Sequence, residues 1–512
     1  MIGPFCLPVP LVASLVVLFA AGASFQSEPP SVATINALVR KLKDPDKQVR
    51  WSAAKTLEEA GPAAKKAVPA LIEALRDESV HDAAINALAS IGPAALPDLL
   101  RSSEGDDLLP TSGAIRAIGE MGPGAKSAVP SLVKALSNRD RRIRVAAVSA
   151  LGGVRDPATV PLLTRILKND KDLKVRIFAA DALAQFGPAA AEAVPTLIGA
   201  FKEALALDDD TGALTRSELI FNLVIHTRGL TTTSYGALVA VGPPAVPAVQ
   251  ELIASGSKEQ RDVALQILGD MGPRARDAVP NLIAGLSRSK GDAEFRERTV
   301  QILGKIREPK TQVVPALARA LQDVSGQVRV HAAVALITID SDDQRAIASF
   351  STLLKDNDVA TRRLAFQELW NFSRPLGDLP PRFQAFVPAL ISGLNDLDAD
   401  DRSYAAGILR ELGERAKPAV SALVRALDDP NEVVRWSAAE ALAAVQDGDM
   451  AVPGLINALN DKAIRVRAEA AHSLGAHGRK ARAAIPALEK AAKEEGRVGR
   501  SAAEALRAVK GM

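Results

Sequence analysis

Cysteine is nearly absent from this 512-residue chain: Cys6 stands alone, inside an apolar N-terminal segment. Beyond it, disulfides, thiol catalysis and cysteine-ligated zinc are excluded. Aromatics are scarce as well, at 4%, so a surface of basic residues interleaved with stacking rings is not expected and nucleic acid is disfavoured as a partner. Charge is close to balanced, with 63 Lys and Arg against 60 Asp and Glu for a formal +3, which calls for no strongly charged partner. Strand-like alternation and glycine-rich phosphate loops are also missing. The five histidines, His81, His226, His331, His472 and His477, make no His-x-x-x-His or His-Glu-x-x-His arrangement. Gly-x-Ser-x-Gly and Cys-x-x-Cys-His do not occur, which removes a nucleophile elbow and a haem attachment site. No catalytic residue, metal site or cofactor is assigned.

What is present is a repeat of about 33 residues, and self-similarity at that period marks a stacked array. Gly61-Pro62-Ala63-Ala64-Lys65-Lys66-Ala67-Val68-Pro69-Ala70-Leu71 is restated from Gly122 to Leu132 and from Gly272 to Leu282. An apolar-Pro pair opens the first helix of each unit, as in Val68-Pro69, Val129-Pro130, Val279-Pro280 and Val387-Pro388. Proline suits a first helical turn, where its missing N–H would have no partner anyway. Leucines two and six positions later, such as Leu71 and Leu75, make one buried stripe. The second helix opens with an arginine seven residues before a leucine, as in Arg50/Leu57, Arg261/Leu268 and Arg435/Leu442. Gly-Pro often closes the unit, the glycine expected in a left-handed cap.

Six residues before the arginine stands an aspartate in seven of ten units: Asp44, Asp170, Asp323, Asp356, Asp396, Asp429 and Asp461, with Asn138 in an eighth. It falls in the turn between helices, where it is expected to cap the second helix. Stacking would align the two series as columns of opposite charge bridging adjacent units. A stripe neutralised by its own neighbours releases few counterions, so a phosphate-binding role is disfavoured. His81 reads as a structural surrogate for the column arginine. Asp396-Leu397-Asp398-Ala399-Asp400 opens like a calcium loop but lacks the glycine and glutamate due at its sixth and twelfth positions, and reads as a solvated turn.

These features resemble HEAT-like repeats, specifically the short bacterial kind named after the phycobilisome lyases. The resemblance rests on the apolar-Pro-x-Leu-x-x-x-Leu first helix and the Asp…Val-Arg-x-x-Ala-x-x-x-Leu second helix, best matched from Asp429 to Leu442 and Asp461 to Leu474. It implies an all-α, right-handed α-solenoid of about fourteen two-helix repeats over residues 33–512. Deoxyhypusine hydroxylases share such repeats and hold iron through His-Glu dipeptides; this chain has none, so that activity is not carried over.

Residues 1–23 are uncharged and apolar enough for a signal peptide, with a small-x-small cleavage site at Ala21-Gly22-Ala23 and a linker at 24–32. The missing basic residue leaves a membrane anchor as the alternative. Export to a periplasmic or extracellular location follows from the first reading. Two places break the period. Pro195 to Pro247 spans 52 residues, about 19 more than the repeat, with the surplus at about 205–230. Its apolar Leu219 to His226 stretch is expected to form an extra helix docked on the array, flanked by turns at Asp208-Asp209-Asp210 and Thr231-Thr232-Thr233. A second turn is lengthened at about 371–386.

A solenoid is a long surface, and the function it suggests is a non-catalytic scaffold or adaptor of the bacterial envelope, binding a protein or peptide on a concave face of second helices as a monomer. A lyase-like helper cradling a chromophore is the alternative from the enzyme class. Nucleic-acid binding is the third reading. Candidate partner-binding residues are Trp51 and Trp436, each following a column arginine, and Phe221 and His226 in the insertion.

Overall fold

Short helices that cannot stand alone dictate this architecture. Most first helices run only 7–11 residues, below the length at which an isolated helix is stable in water, so packing must hold them. The computed structural model describes residues 31–210, 219–289, 291–373 and 381–511, and the side chains of all of these except 207–210, 219–228 and 381. It holds twenty-eight α-helices in fourteen pairs and, among the described residues, no strand. No single helix among them is long and apolar enough to cross a membrane.

Contacts divide the chain into two compact units, with the boundary between Thr159 and Val160. In the first unit the pairs are Val32–Lys41 with Lys47–Ala60, Val68–Ala74 with His81–Ile91, Leu96–Ser103 with Leu108–Glu120, and Val129–Ala135 with Arg141–Val154; these are α1 to α8. The second unit opens with Val160–Asn169 and Leu173–Ala184, Val194–Asp210 and Leu219–Val241, Val246–Ser255 and Lys258–Met271, and Val279–Arg288 and Ala293–Ile306, which are α9 to α16. It continues with Lys310–Ala320 and Gly326–Ile339, Gln344–Leu353 and Val359–Ser373, and Val387–Gly393 and Ala399–Leu412, which are α17 to α22. Val420–Ala426 and Glu432–Val445, Gly448–Ala458 and Ile464–Ala476, and Ile485–Ala491 and Arg497–Lys510 complete it as α23 to α28. Each even-numbered helix packs on the next even one within its unit, α2 on α4 on α6 on α8, and α10 through to α28. Both units are therefore α-solenoids whose second helices form an unbroken layer.

The sequence pattern explains the pairs. Leu57, Leu71, Leu75 and Leu88 are fully buried, as the leucine spacing requires. Alanine and glycine let second helices close up: a Cβ on Gly119 of α6 would sit 2.6 Å from Ala150 Cα of α8. Glycine also ends the second helix, but not in the left-handed cap expected. Gly61 lies at φ 52°, ψ −132° and Gly272 at φ 57°, ψ −134°, a region open almost only to glycine. The chain then runs straight into a 3-10 turn, Gly61–Ala67 or Gly272–Ala278, that delivers the apolar-Pro pair to the next helix.

The arginine and aspartate columns join successive repeats in a ladder. Arg50 donates from Nε to Asp77 Oδ2 of the next turn at 2.6 Å, and from Nη1 to the Asp44 carbonyl of its own turn at 2.7 Å. The second unit repeats the arrangement with Arg296–Asp323 at 2.8 Å, Arg362–Asp396 at 2.5 Å, Arg402–Asp429 at 2.7 Å and Arg435–Asp461 at 2.7 Å. Arg176 uses Glu203 and Arg467 uses Glu494 in the same way. His81 performs only half of the task. Its Nδ1 lies 2.7 Å from the Leu75 carbonyl, six residues back like the arginine bond to Asp44.

The helix cap sits two residues after the column aspartate, not on it. Asp46, Asp140, Asp172, Asp398 and Asn431 are the capping side chains. The column carboxylate instead accepts the amide two residues on, 2.8 Å from Ala463 N to Asp461 Oδ1, and so holds its own turn while receiving the preceding arginine. Burial pushes the Asp461 carboxyl up, but the Arg435 hydrogen bond and that amide outweigh it and hold the group below its ordinary range. The turn at Asp396 is likewise more than solvated: Leu397 is 97% exposed, yet Asp396 is locked to Arg362.

The insertion makes no separate helix. It lengthens both members of one pair, α11 to 17 residues and α12 to 23. Its apolar stretch is the opening of α12, Asp208 to Asp210 end α11, and Thr231 to Thr233 continue inside α12. Threonine is tolerated there because Thr233 Oγ1 donates back to the Gly229 carbonyl at 2.9 Å. At the second irregularity α20 ends at Ser373 and Pro381–Phe386 forms a 3-10 turn, plugged by Phe383 and Phe386 against Phe350 and Phe372. Residues 374–380 of that turn, like residues 1–30, lie outside the described residues.

Candidate functional site

The layer of second helices in the second unit carries two adjoining depressions, on α14, α16, α18 and α20. One depression of about 310 Å³ lies between α14 and α16, lined by Asp262, Gln266, Glu294, Arg298, Gln301 and Lys305 among others. A second, of about 300 Å³, shares Gln301 and Lys305 and extends over His331, Val334 and Thr338 of α18 to Glu368 of α20. The floor is apolar, from Leu265, Ile302 and Ala335, and the walls are charged or amide.

Ion pairs run from helix to helix along this face. Lys258 meets Glu294 at 2.6 Å, Arg298 meets Asp262 at 3.4 Å and Lys305 meets Asp270 at 3.5 Å, while the His331 ring lies 3.5 Å from the Glu297 carboxylate. The hydrogen bond from Lys258 holds the Glu294 carboxyl below its usual range, whereas burial raises Asp262. Tyr235 of α12 donates to Asp270, and its hydroxyl is pushed up by burial and by that carboxylate. The exposed pairs among these, Lys258–Glu294 and Lys305–Asp270, contribute little to stability and leave their charges open to a partner. The arrangement offers binding chemistry: alternating charge around small apolar floors. No group of three or more His, Cys, Asp or Glu side chains among the described residues is placed to hold a metal.

Trp51 and Trp436 sit on α2 and α24, one position after the ladder arginine in each case. Trp51 is 47% exposed. Trp436 is half-buried and tied to α26: its Nε1 donates to Glu469 Oε2 at 3.2 Å, and the Arg465 guanidinium lies 3.6 Å from the ring centroid. That side chain joins two repeats. Phe221 and His226 fall within α12, but their side chains lie outside the described residues. Trp51 and Trp436 belong to different units.

Three features escaped the sequence reading. Trp370 of α20 and Tyr404 of α22 have ring centroids 6.2 Å apart, with Arg410 5.8 Å from the Trp370 ring. Gly407 lies beneath, where a Cβ would come within 2.3 Å of Trp370 Cζ3. Gly407→Ala is expected to displace the ring and cost about 1–3 kcal/mol, read as a lowered melting temperature with a shifted tryptophan emission; an unchanged melt would mean that the ring gives way freely. Asp401 is 0% exposed and neither carboxylate oxygen has a hydrogen-bond partner. His477 is 4% exposed with both ring nitrogens unpartnered, while His472 points outward. Burial, and then Lys480, lower the His477 pKa. Nothing in the repeat pattern signals these features; the one usable hint is that Gly407 stands where other units carry a longer side chain, such as Lys55, Gln266, Val334 or Glu440.

Comparison with known proteins agrees with the architecture. A profile for HEAT repeats matches residues 35–119, 111–184, 129–212, 279–370, 387–451 and 447–507, well over half of the chain. Among solved structures, Kap121p bound to Ste12p is similar with a TM-score of 0.53 at 13% identity, covering 90% of this chain and 55% of that one. Kap121p bound to RanGTP gives 0.52 at 15% identity, covering 92% of this chain and 56% of that one. The chain thus spans about half the length of these structural relatives, and at such identities the likeness is one of fold. No curated protein sequence matches it.

Proposed function

The chain belongs to the HEAT-repeat family, and on that premise we propose that it is a non-catalytic scaffold whose second-helix face binds a protein or peptide partner. The observation that carries this reading is the pair of adjoining depressions on α14 to α20, with charged walls over apolar floors. Interfaces combine an apolar floor with a polar rim in this way. The Kap121p structures, solved bound to Ste12p and RanGTP, have the same kind of stack occupied by protein. Trp51, with its large exposed ring, extends the proposal to the first unit. The uncharged apolar segment at 1–23 supports an exported, envelope-associated location, and the same proposal takes the mature chain as a monomer.

Site-specific photocrosslinking tests it. A photoreactive residue at Gln301, shared by both depressions, is expected to yield a discrete protein adduct in the native cell; one at Val324, a turn residue 88% exposed, is expected to yield none. Equal labelling at both positions, or adducts at Gln301 that are nucleic acid or small molecule, would refute the reading.

A further inference from the structure

The ladder has a gap. Arg261 of α14 holds the column position, seven residues before Leu268, yet it makes no hydrogen bond or ion pair with any described residue. In most rungs the partner carboxylate lies 27 residues on, as for Arg296–Asp323 and Arg402–Asp429, and where the spacing differs, as for Arg362–Asp396 and Arg435–Asp461, it still stands six residues before the next column arginine. Counting 27 from Arg261 reaches Arg288, and the residue six before the next ladder arginine is Lys290. Both candidate acceptors are basic. The one carboxylate in that turn, Asp292, caps α16 by accepting the Phe295 amide at 2.9 Å.

A cavity of about 470 Å³ opens at this gap, larger than either depression on the second-helix face. Arg261 and Arg288 both line it, and Arg288 also has no ion-pair partner among the described residues. Its other lining residues include Ile253, Leu282 and Phe295, together with Gln250 and Asn281. Two arginines without an internal carboxylate thus line a recess of mixed apolar and polar walls, of a size within the usual range for ligand pockets, roughly 300–1,000 Å³.

The intact rungs show what an arginine at this position receives. Arg296 takes Asp323 through Nε and Nη2 at 2.8 and 2.9 Å, and Arg435 takes Asp461 at 2.7 and 3.0 Å, each a two-point contact with a carboxylate. We propose that the gap at Arg261 and Arg288 is a docking pocket for an acidic side chain of a partner peptide, which supplies from outside the carboxylate that the repeat lacks. The apolar walls take a neighbouring aliphatic side chain of that peptide, which an inorganic anion would leave uncovered. This rests on the reading of the array as a protein-binding scaffold, but the pocket lies at the turn edge, away from Gln301, so either can fail without the other.

Fluorescence anisotropy with the full chain tests it, using a labelled, end-blocked peptide with one aspartate between two leucines. The aspartate peptide is expected to bind at least tenfold more tightly than its asparagine counterpart, and Arg261→Gln with Arg288→Gln to abolish the difference. Because neither arginine is in a rung, that double variant is expected to keep the parental melting temperature. Arg288→Asp should instead fill the pocket internally, raising the melting temperature and removing peptide binding. Equal binding of the two peptides, no binding at millimolar concentration, or glutarate competing as strongly as the peptide would each overturn the proposal.

Discussion

Arg435→Ala is expected to lower stability by about 3–4 kcal/mol, the usual consequence of stranding one partner of a buried ion pair. The magnitude follows from burial: the Arg435 and Asp461 side chains are only 5% and 11% exposed. The variant also loses the bonds from Nη1 to the Asp429 and Pro430 carbonyls, at 2.9 and 3.2 Å, and with them the closure of its own turn. Arg76, which meets Asp107 with side chains 52% and 47% exposed, serves as the control, and its alanine variant should cost under about 1 kcal/mol. Urea titration of both variants measures the contrast. Asp461 is held below its usual range when folded, so its contribution is present above pH 4 and lost as pH falls; removing Arg435 should flatten that acid limb. An Arg435→Ala protein that melts normally but loses its partner would make the ladder a binding device instead.

Asp401→Asn is expected to stabilise the protein at pH 8 and to remove a distinctive slope from its pH profile. Burial raises the Asp401 carboxyl to about 6, helped by the nearby Asp396 and Asp398 charges and opposed by Arg363, whose Nε is 3.9 Å away, and by Arg362. A folded pKa above the unfolded one means that folding takes up a proton between about pH 4 and 6. Stability therefore falls as pH rises through that window. Above it the ionised, unpartnered carboxylate leaves a constant penalty of about 3 kcal/mol. Asparagine cannot ionise, but its amide also lacks partners, so the net gain at pH 8 should be about 1–2 kcal/mol. Melting curves from pH 4 to 8 decide the matter: identical slopes for the two proteins would mean that Asp401 finds a partner once charged.

These two residues mark where sequence reading succeeds and where it stops. Period, proline and leucine spacing specify the helix pairs because each is a local requirement that recurs along the array. The columns are legible for the same reason, since Arg435 and Asp461 recur in register. Their detailed roles are not: the turns carry Asp-x-Asp, as in Asp44 and Asp46, and nothing local says that the second caps the helix while the first faces the preceding repeat. Asp401 belongs to a run of acids that reads as solvent-facing, and only the packing of α20 on α22 buries it. The long α11 and α12 were misread because an apolar surplus suggests a new element, whereas extending two existing helices satisfies the same backbone bonds with no new caps.

The ladder has one more consequence, for how such a chain can be assembled and altered. Each repeat reaches forward with a donor and offers an acceptor to the arginine behind it, so a repeat copied in tandem arrives with matching joints at both ends. Duplication or loss of a whole repeat needs no compensating second substitution. Growth inside a repeat is permitted too, provided that the joint survives: the lengthened α11 still presents Glu203 to Arg176 at 2.6 Å, its longer side chain standing in for the aspartate. Interchangeable joints of this kind let the exposed faces diverge from copy to copy while the stack itself stays the same.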